Sequence, residues 1–223
     1  MSHCEADVLY APLGLVDGIA ALAAEPVFAR ILRMAGPPRF RRRRNGFGTL
    51  LHIILEQQVS IDAAAAMHRR LVGLCQPLGP ETFLGLNDAT LRSCGFSRQK
   101  TGYARDLAAS VANGKFDFAR LAAADDETAL AELLAIRGIG RWSAEIYLLF
   151  ALGRPDIWPA GDLGLQVGIA EQIGLGSRPS ELELRQWGEA WRPWRSVATC
   201  LFWQSYLHTR CRTAPLLPPE LYA

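Results

Sequence analysis

The stretch LLAIRGIGRWSAEIYLLFA, residues 133–151, constrains the fold of this chain more than any other. It is rich in helix-forming residues on both sides of RGIG, where Gly138 and Gly140 stand one residue apart. A glycine in a helix interior costs about 1 kcal/mol relative to alanine. A break this short therefore predicts a tight turn between two helices, that is, a helical hairpin.

The two glycines of this turn have two interpretations. In an ordinary hairpin they supply backbone conformations with positive φ. Alternatively, the lack of side chains at Gly138 and Gly140 lets an anion approach the first amides of the second helix, where the helix dipole is positive. On that interpretation the amides of residues 138–142 hold a phosphate. The hairpin sequence alone does not decide between the two.

Helical spacing of apolar residues continues through most of the chain. Apolar residues recur every three or four positions in GFGTLLHIILEQQ, and IDAAAAMHRRLVGLC is an alanine-rich helix. Asp88 and Ser97 are each predicted to be the N-cap of a helix that ends at glycine. SELELRQWGEAW and PWRSVATCLFWQSYLHTR form the last helices, the second with Pro193 in its first turn. About ten short helices predict an all-α fold, followed by an extended proline-rich tail over about residues 212–223.

Composition excludes several classes of protein. Half of the 223 residues are apolar, which is typical of a globular chain, and no run approaches the roughly 20 apolar residues of a membrane span. The first residues, MSHCEADVLYAPLG, lack the basic and apolar regions of a secretory signal, so we expect a cytoplasmic protein. The scattered cysteines include no C-x-x-C pair, which argues against a disulfide framework, a zinc site and an iron–sulfur cluster. The cysteines are Cys4, Cys75, Cys94, Cys200 and Cys211.

Five arginines are concentrated in RFRRRR, residues 39–44, although the net charge is only +2. Such a run is most often a solvated loop. It is also suited to phosphate contacts, because the planar guanidinium group of arginine matches a phosphate well. Both interpretations remain open from the sequence.

A loop containing prolines and a tryptophan, RPDIWPAGD, ends at Asp162, directly before the helical segment LGLQVGIAEQIG. The simplest interpretation of Asp162 is an N-cap. A carboxylate held ionised at a helix N-terminus near aromatic groups is also suited to stabilising a cationic transition state. Asp162 is therefore both a predicted cap and a candidate catalytic residue.

The chain has six tryptophans, four of them between residues 187 and 203. The near-helical spacing of Trp191, Trp194 and Trp203 is more typical of a core than of a ligand site. Indole rings lining a cleft would nevertheless stack well on a planar base, above all on a cationic one.

These features occur in an order that resembles a known family. LLAIRGIGRWSAEI resembles the helix–hairpin–helix signature of the base-excision DNA glycosylase superfamily (HhH-GPD), and Asp162 stands where that superfamily has its catalytic aspartate. Three further segments are similar to sequences of the 3-methyladenine DNA glycosylase II branch: ILEQQVS, GFSRQKTGYARDLA and WRPWRSVATCLFW. The resemblance covers residues 22–210. It implies one two-lobed domain over residues 1–223, with the hairpin at about residues 128–151 and a cleft for DNA and the damaged base between the lobes.

The resemblance also implies roles for individual residues, with Asp162 as the catalytic one. Gln58 stands where the family inserts a wedge into the duplex, usually an aliphatic residue, and Ile146 replaces a pocket tyrosine of some relatives. The implied base-pocket residues are Trp142, Trp203, Ile146 and Trp158. The implied DNA-binding residues are Gly138, Ile139, Gly140, Arg141, Gln58 and Ser60. The main-chain carbonyls of Leu134, Ile136 and Ile139 would face a structural sodium or potassium ion.

The resemblance implies a monofunctional enzyme that needs no cofactor. Members of the superfamily that also nick DNA use a hairpin lysine, and that position is Trp142 here, where no Schiff base can form. We predict a monomer that binds double-stranded DNA, flips an alkylated base of the 3-methyladenine type out of the stack and hydrolyses its glycosidic bond in base-excision repair. We expect it in the cytoplasm, associated with the nucleoid in a bacterium, without membrane contact.

Three other functions stay open from the sequence. A glycosylase for other damaged or mismatched bases is disfavoured by the missing hairpin lysine and by the lack of clustered cysteines. A non-catalytic DNA-binding module is disfavoured by Asp162, because a pure binder gains nothing from a carboxylate directed at DNA. An unrelated helical interaction domain is the third.

Overall fold

The structure, a computed structural model, describes residues 12–214 and 216–223. These residues form thirteen α-helices and two short 3-10 helices but no β-strand, and one isolated bridge pairs Arg43 with Tyr222. The all-α prediction is therefore confirmed. More than about ten helices are present because helices of five or six residues are too short to show a periodic apolar pattern. None of the described helices combines the length and the apolar character that crossing a bilayer requires.

The described residues divide into two compact units. The terminal unit combines residues 12–42 with 148–214, and the central unit combines residues 43–147 with 216–223. Residues 1–11, which include Cys4 and most of the segment considered as a secretory signal, lie outside the described residues. A single domain spanning residues 1–223 stays a prediction.

The terminal unit is built around its last helix. Its helices are α1 (Leu15–Leu22), α2 (Pro26–Ala35), α11 (Leu163–Ile173), α12 (Glu181–Gly188), α13 (Arg195–His208) and a 3-10 helix at Glu189–Trp191. Helix α13 packs against α11, α2 and α1. Nine of its residues are buried, so it is the core of this unit rather than an amphipathic surface helix.

Gly168 allows α11 to approach α13 closely. A Cβ atom at Gly168 would lie 2.8 Å from the main-chain carbonyl oxygen of Phe202, a distance that no side chain tolerates. The contact positions the candidate site, because α11 begins directly after Asp162 and α13 carries Trp203.

The prediction of Pro193 in the first turn of the last helix is wrong. Helix α13 begins at Arg195, and Trp194 occupies its N-cap position. The amide of Trp194 donates to the carbonyl of Trp191 at 2.7 Å, and this bond closes a separate turn around Pro193 before the helix starts.

The central unit contains the remaining helices. They are α3 (Phe47–Glu56), α4 (Ile61–Leu74), α5 (Pro80–Leu84), α6 (Asp88–Ser93), α7 (Arg98–Ala112), α8 (Phe118–Ala123), α9 (Asp126–Leu134), α10 (Arg141–Phe150) and a 3-10 helix at Pro219–Leu221. Helix α10 continues into the terminal unit after Tyr147. Helix α3 is buried along nearly its whole length and packs against α4 and α7, so it forms the core of the unit.

The sequence predicted one of the two caps beside α6 and α7 correctly. The hydroxyl of Ser97 accepts a hydrogen bond from the amide of Lys100 at 3.2 Å, which confirms Ser97 as the N-cap of α7. The N-cap of α6 is Asn87, whose side chain accepts from the amide of Thr90 at 2.9 Å, so the prediction of Asp88 is wrong. Asp88 is the first residue of the helix, and its carboxylate pairs instead with Arg105 at 2.6 Å.

The RFRRRR segment is not a uniformly solvated loop. The Arg43 guanidinium is buried and makes two hydrogen bonds, of 3.1 and 3.2 Å, with the carboxylate of Glu56. Burial alone would raise the pKa of Glu56, but Arg43 and His52 lower it to about 2. Arg44 donates to the carbonyl of Tyr222 at 2.6 Å. The solvated-loop prediction is wrong for Arg43 because Glu56, buried at the end of α3, needs a cationic partner.

The prediction of an extended C-terminal tail is wrong for residues 216–223. Pro219–Leu221 forms a 3-10 helix, and Leu217 and Leu221 are buried. The Leu221 carbonyl accepts from the amide of Arg44 at 2.7 Å. The segment is fixed in place because its apolar side chains and its main chain both find partners on the central unit.

Two buried histidines pack against each other in the central unit, His52 in α3 and His68 in α4, and His68 lies beside the C-terminal segment. Their rings are 5.0 Å apart, and within the described parts of the chain none of their four ring nitrogens makes a hydrogen bond of good geometry. The nearest approach of His52 is that of its Nε2 to Oε1 of Glu56, at 3.4 Å. The nearest carboxylate to His68 is that of Glu220, at 3.5 Å. Burial and the neighbouring His52 lower the pKa of His68 to about 3, against a smaller opposing effect of Glu56. His68 is therefore neutral at neutral pH.

We expect the central unit to lose stability as the pH falls below about 6.5, the ordinary pKa of histidine. The unfolded chain protonates His68 there, whereas the folded chain does so only near pH 3. The contribution of His68 is complete above the unfolded pKa and falls by up to about 1.4 kcal/mol per pH unit below it. Glu56 adds a loss only below its unfolded pKa of 4.5.

Urea unfolding across this pH range measures the effect. His68→Phe should flatten the dependence of the free energy of unfolding on pH, because the group that resists protonation is gone. The control is His208→Phe, at the exposed end of α13, which should keep the parental slope. An unchanged slope in His68→Phe would contradict the assignment.

Candidate active site

Asp162 is the N-cap of α11, as predicted. Its Oδ1 accepts a hydrogen bond from the amide of Leu165 at 2.8 Å, which satisfies one of the amides left without a partner at a helix start. The carboxylate therefore sits at the positive end of the α11 dipole, where a negative charge is stabilised.

Trp203 provides a second hydrogen bond to the same oxygen. Its indole Nε1 donates to Oδ1 of Asp162 at 2.8 Å. The indole ring stacks on Phe150, with the ring planes 10° apart, and meets the edge of Phe40. Two donors from different helices thus converge on one carboxylate oxygen, and the charge of Asp162 is held in a fixed direction.

The loop that leads to Asp162 is anchored by the beginning of α13. The Ser196 hydroxyl donates to the carbonyl of Arg154 at 2.7 Å and accepts from the amide of Ile157 at 2.8 Å. The Arg195 guanidinium forms hydrogen bonds of 2.9 and 3.0 Å with the two carboxylate oxygens of Asp156. Bidentate pairs of this kind fix orientation as well as distance. The sequence interpretation of WRPWRS concerned its tryptophans and missed Arg195 and Ser196.

Trp158 and Trp203, both predicted base-pocket residues, lie in different surroundings within the terminal unit. Trp158 is buried, its Nε1 donates to the Leu184 carbonyl at 2.7 Å, and its ring meets the edge of Trp191. These contacts give Trp158 a structural role in holding the loop. Trp203 is also buried but touches Asp162 directly. Contact of either ring with a base stays a prediction.

The helical hairpin is formed by α9 and α10, which confirms the prediction of a tight turn at RGIG. Gly138 has a φ of +86°, and a Cβ atom there would lie 2.2 Å from the ring of Tyr103. At Gly140 a Cβ atom would meet nothing within 4 Å. Gly138 is therefore needed for the turn itself, as the first interpretation requires. Gly140 leaves open space beside the start of α10, where the second interpretation would place an anion.

The main-chain bonds of the turn correct the set of amides available to an anion. The amide of Ile139 donates to the carbonyl of Ile136 at 3.0 Å, so it is used inside the turn. The first bond of the helix ladder runs from the amide of Ala144 to the carbonyl of Gly140 at 3.0 Å. The hydrogen-bond ladder of α10 thus begins with the amide of Ala144. An amide contact from Ile139 is disfavoured because its hydrogen is committed.

Three side chains of α10 predicted at the site have distinct environments. Trp142 is half-buried, and Ile146, one turn further along, is buried. The Arg141 guanidinium, half-exposed, pairs with the buried carboxylate of Glu145 at 3.0 Å. Arg141 therefore lies next to the turn of the hairpin, and its side chain is oriented by its own helix.

Gln58 and Ser60 lie in the short connection between α3 and α4. Gln58 is exposed and has a φ of +57°, a left-handed conformation that costs a side-chain-bearing residue about 1–2 kcal/mol. The hydroxyl of Ser60 caps α4 by accepting from the amide of Ala63 at 3.2 Å. The structure thus gives Ser60 a capping role and presents Gln58 at the tip of the loop. Their DNA contacts stay predictions.

With this geometry in place, the family can be assigned. Residues 51–193 match the family model described as HhH-GPD superfamily base excision DNA repair protein. The chain belongs to this superfamily.

Within the superfamily, the chain is similar to proteins named as 3-methyladenine DNA glycosylases. YfjP of Bacillus subtilis, a candidate DNA-3-methyladenine glycosylase, is 30% identical over 168 residues, which are 71% of this chain and 58% of YfjP. The solved DNA-3-methyladenine glycosidase of Bacillus halodurans is 34% identical, with a TM-score of 0.72 over 86% of this chain and 89% of that one. The fold, at 24% identity, is similar to that of 3-methyladenine DNA glycosylase Mag1 from Schizosaccharomyces pombe in complex with abasic DNA, with a TM-score of 0.79 over 84% of this chain and 95% of that one.

The two glycines of the turn should respond differently to substitution. We expect Gly138→Ala to lower the melting temperature strongly, because it combines a positive φ with overlap of the Tyr103 ring. Gly140→Ala should be close to neutral, since its Cβ would enter open space. Thermal unfolding of the two variants measures the difference. Equal melting temperatures would show that Gly138 is not required by the turn.

Proposed function

We propose that this chain is a monofunctional DNA glycosylase that flips alkylated bases of the 3-methyladenine type out of DNA and hydrolyses their glycosidic bonds. The observation that carries the proposal is the Asp162 carboxylate, held by the Leu165 amide and the Trp203 indole at one oxygen. The names of the relatives support the substrate class. The chain spans 58% of the length of YfjP, so we propose, rather than transfer, the activity of that whole protein for this chain.

The chemistry follows from the charges of the substrate. Alkylation at N3 or N7 gives a purine a positive charge, and the base then leaves with the electron pair of the glycosidic bond without a strong general acid. The sugar becomes oxocarbenium-like, and the negative charge of Asp162 stabilises it, as a carboxylate does in glycoside hydrolysis. Water adds at C1′, and its proton passes to the solvent. Asp162 acts electrostatically and orients that water.

Trp142 supplies discrimination between damaged and normal bases in this proposal. It is half-buried at the start of α10, and the resemblance places it in the base pocket. Cation–π attraction to an indole face favours a charged base over a neutral one. Ile146, Trp158 and Trp203 stay predicted pocket residues.

The absence of strand nicking is part of the proposal. Trp142 occupies the hairpin position of the lysine used by nicking members, and the only lysines of the sequence are Lys100 and Lys115. Lys100 is the stronger rival nucleophile, since burial lowers its pKa. However, its Nζ donates to the Leu55 carbonyl at 2.6 Å, which commits it to a structural contact.

We propose that the hairpin also holds a monovalent cation, as the resemblance implies. The ion would be held by the main-chain carbonyls of Leu134, Ile136 and Ile139. The Ile136 carbonyl accepts the amide of Ile139, and a carbonyl oxygen keeps a second lone pair for another partner. Such an ion would stabilise the turn and take no part in the hydrolysis.

Asp162→Asn separates the catalytic role from the capping role. Asparagine keeps an Oδ1 that accepts from both Leu165 and Trp203, and it caps a helix about as well as aspartate. We therefore expect a parental melting temperature and excision slowed by about 100-fold or more, as when a preorganised electrostatic group is removed. The measurement is single-turnover release of bases from methylated duplex DNA, with the released bases identified by chromatography.

Near-parental excision by folded Asp162→Asn would contradict the mechanism and leave Asp162 as a cap. The strands from the same reactions test for nicking. We expect them to stay intact until alkali is added, and borohydride should trap no covalent complex. A trapped complex that disappears in Lys100→Ala would contradict the monofunctional assignment.

Gly140→Asp tests the phosphate site without disturbing the turn. The new side chain enters open space, so the fold should persist, but its charge opposes a phosphate at the start of α10. We expect weaker binding to duplex DNA and a smaller dependence of affinity on salt than in the parent, because one phosphate contact is lost. Gly140→Asn is the uncharged control. Equal affinities of Gly140→Asp and the parent would contradict the phosphate assignment.

A further inference from the structure

A single side chain connects the helical hairpin to the loop that carries Gln58. Gln57 immediately follows α3, and its Nε2 donates to the carbonyl of Gly138 at 2.8 Å and to the hydroxyl of Ser143 at 3.0 Å. An amide nitrogen has two hydrogens, so both are used in this contact. The acceptors belong to the RGIG turn and to the first turn of α10, which are separated from Gln57 by more than eighty residues of sequence.

The next residue is the one in a strained conformation. Gln58 has a φ of +57°, whereas Gln57 is extended, with φ −60° and ψ 123°. Val59 and Ile61, on the other side, are about two-fifths exposed. A left-handed, exposed side chain between exposed apolar residues persists only where the surrounding structure imposes it. The amide of Val59 donates to the carbonyl of Glu56 at 3.4 Å, so Gln57 and Gln58 are the two central residues of one turn. The side chain of Gln57 fixes this turn to the hairpin.

The hairpin turn is held from a second direction as well. The ring of Tyr103 packs directly against Gly138, and the Tyr103 hydroxyl accepts from the side chain of Gln99 at 2.7 Å. Gly138 is therefore enclosed by Tyr103 at its α carbon and by Gln57 at its carbonyl. A displacement of the turn would be transmitted to Gln57 because the turn has little freedom to move alone.

We propose that Gln57 is a positioning residue that couples the phosphate-holding turn to insertion of Gln58 into the duplex. This inference rests on the proposed function, in which the turn binds a DNA phosphate, and on the resemblance, which places Gln58 where the family inserts a wedge into the duplex. With Gln57 in place, capture of the backbone at the hairpin holds the Gln58 side chain in its left-handed, extruded conformation. Without Gln57, the turn still binds DNA but the loop relaxes to ordinary backbone conformations.

The experiment uses a duplex that carries a stable tetrahydrofuran abasic nucleotide with 2-aminopurine opposite it. Fluorescence at saturating protein reports insertion into the gap, and the same titration gives the Kd. The variants are Gln57→Met, which keeps the length of the side chain and removes its donor, Gln58→Ala, and the double variant. The matched control is Gln204→Met on α13, which removes a comparable bond to the carbonyl of Ala35 at 3.0 Å.

We expect Gln57→Met to reduce the fluorescence change at saturation to nearly that of Gln58→Ala, with an inserted fraction lowered about tenfold and a much smaller change in Kd. The double variant should lose little more than either single variant, and Gln204→Met should give the parental signal. Additive losses in the double variant, or a parental signal in Gln57→Met, would overturn the coupling. A parent protein that binds the duplex without a fluorescence change would overturn it too.

A purely structural role predicts something different, namely a lower melting temperature with full insertion well below it. Should Gln57→Met melt below the assay temperature, Ser143→Ala removes one of the two acceptors with little change in volume. That variant should show an intermediate signal, and a parental one would count against the proposal. The abasic duplex contains no base to excise, so failure of the coupling and failure of the glycosylase activity are observed in separate assays.

Discussion

The candidate site depends on the convergence of two hydrogen bonds at Oδ1 of Asp162. One donor, the Leu165 amide, belongs to the helix that Asp162 caps, and the other, the Trp203 indole, belongs to the helix packed against it. The second bond requires α11 and α13 to be close, and Gly168 makes this approach possible. A charge that would otherwise be free to rotate is thereby fixed before any ligand arrives, which is what electrostatic preorganisation requires.

The sequence predicted the helical class because apolar spacing is a local property of each segment. It predicted the caps at Ser97 and Asp162 for the same reason, since a cap and its helix are adjacent in the chain. The errors occur where distant residues compete for a group. Asn87, not Asp88, caps its helix, and the carboxylate of Asp88 pairs with Arg105. The side chain of Arg43 is buried and pairs with the carboxylate of Glu56. The packed C-terminal segment likewise depends on partners far away in sequence.

The same distinction applies to the site. The hairpin and Asp162 were found because each has a short sequence pattern with a chemical meaning. Gln57 was missed because its two partners lie far along the chain. Only the structure shows that its side-chain amide connects the loop after α3 to the hairpin. Arg195 and Ser196 were missed because the interpretation of WRPWRS considered only the neighbouring tryptophans. The sequence did contain one indication of this contact. Asp156, an acidic residue in the proline-rich loop, requires a cationic partner, and Arg195 is that partner.

The division of the chain into two units has a consequence for its synthesis. The terminal unit is assembled from residues on both sides of the central unit, so it cannot form until residues 148–214 have left the ribosome. The central unit is made earlier but still lacks Leu217 and Leu221, which are buried and are made later still. Helices α3 to α9 can pack as they emerge, because they follow one another in the chain and belong to one compact unit. The unit that begins to fold first is thus completed only after residues 216–223 have been made, and until then the buried His68 lacks Glu220, the carboxylate beside it.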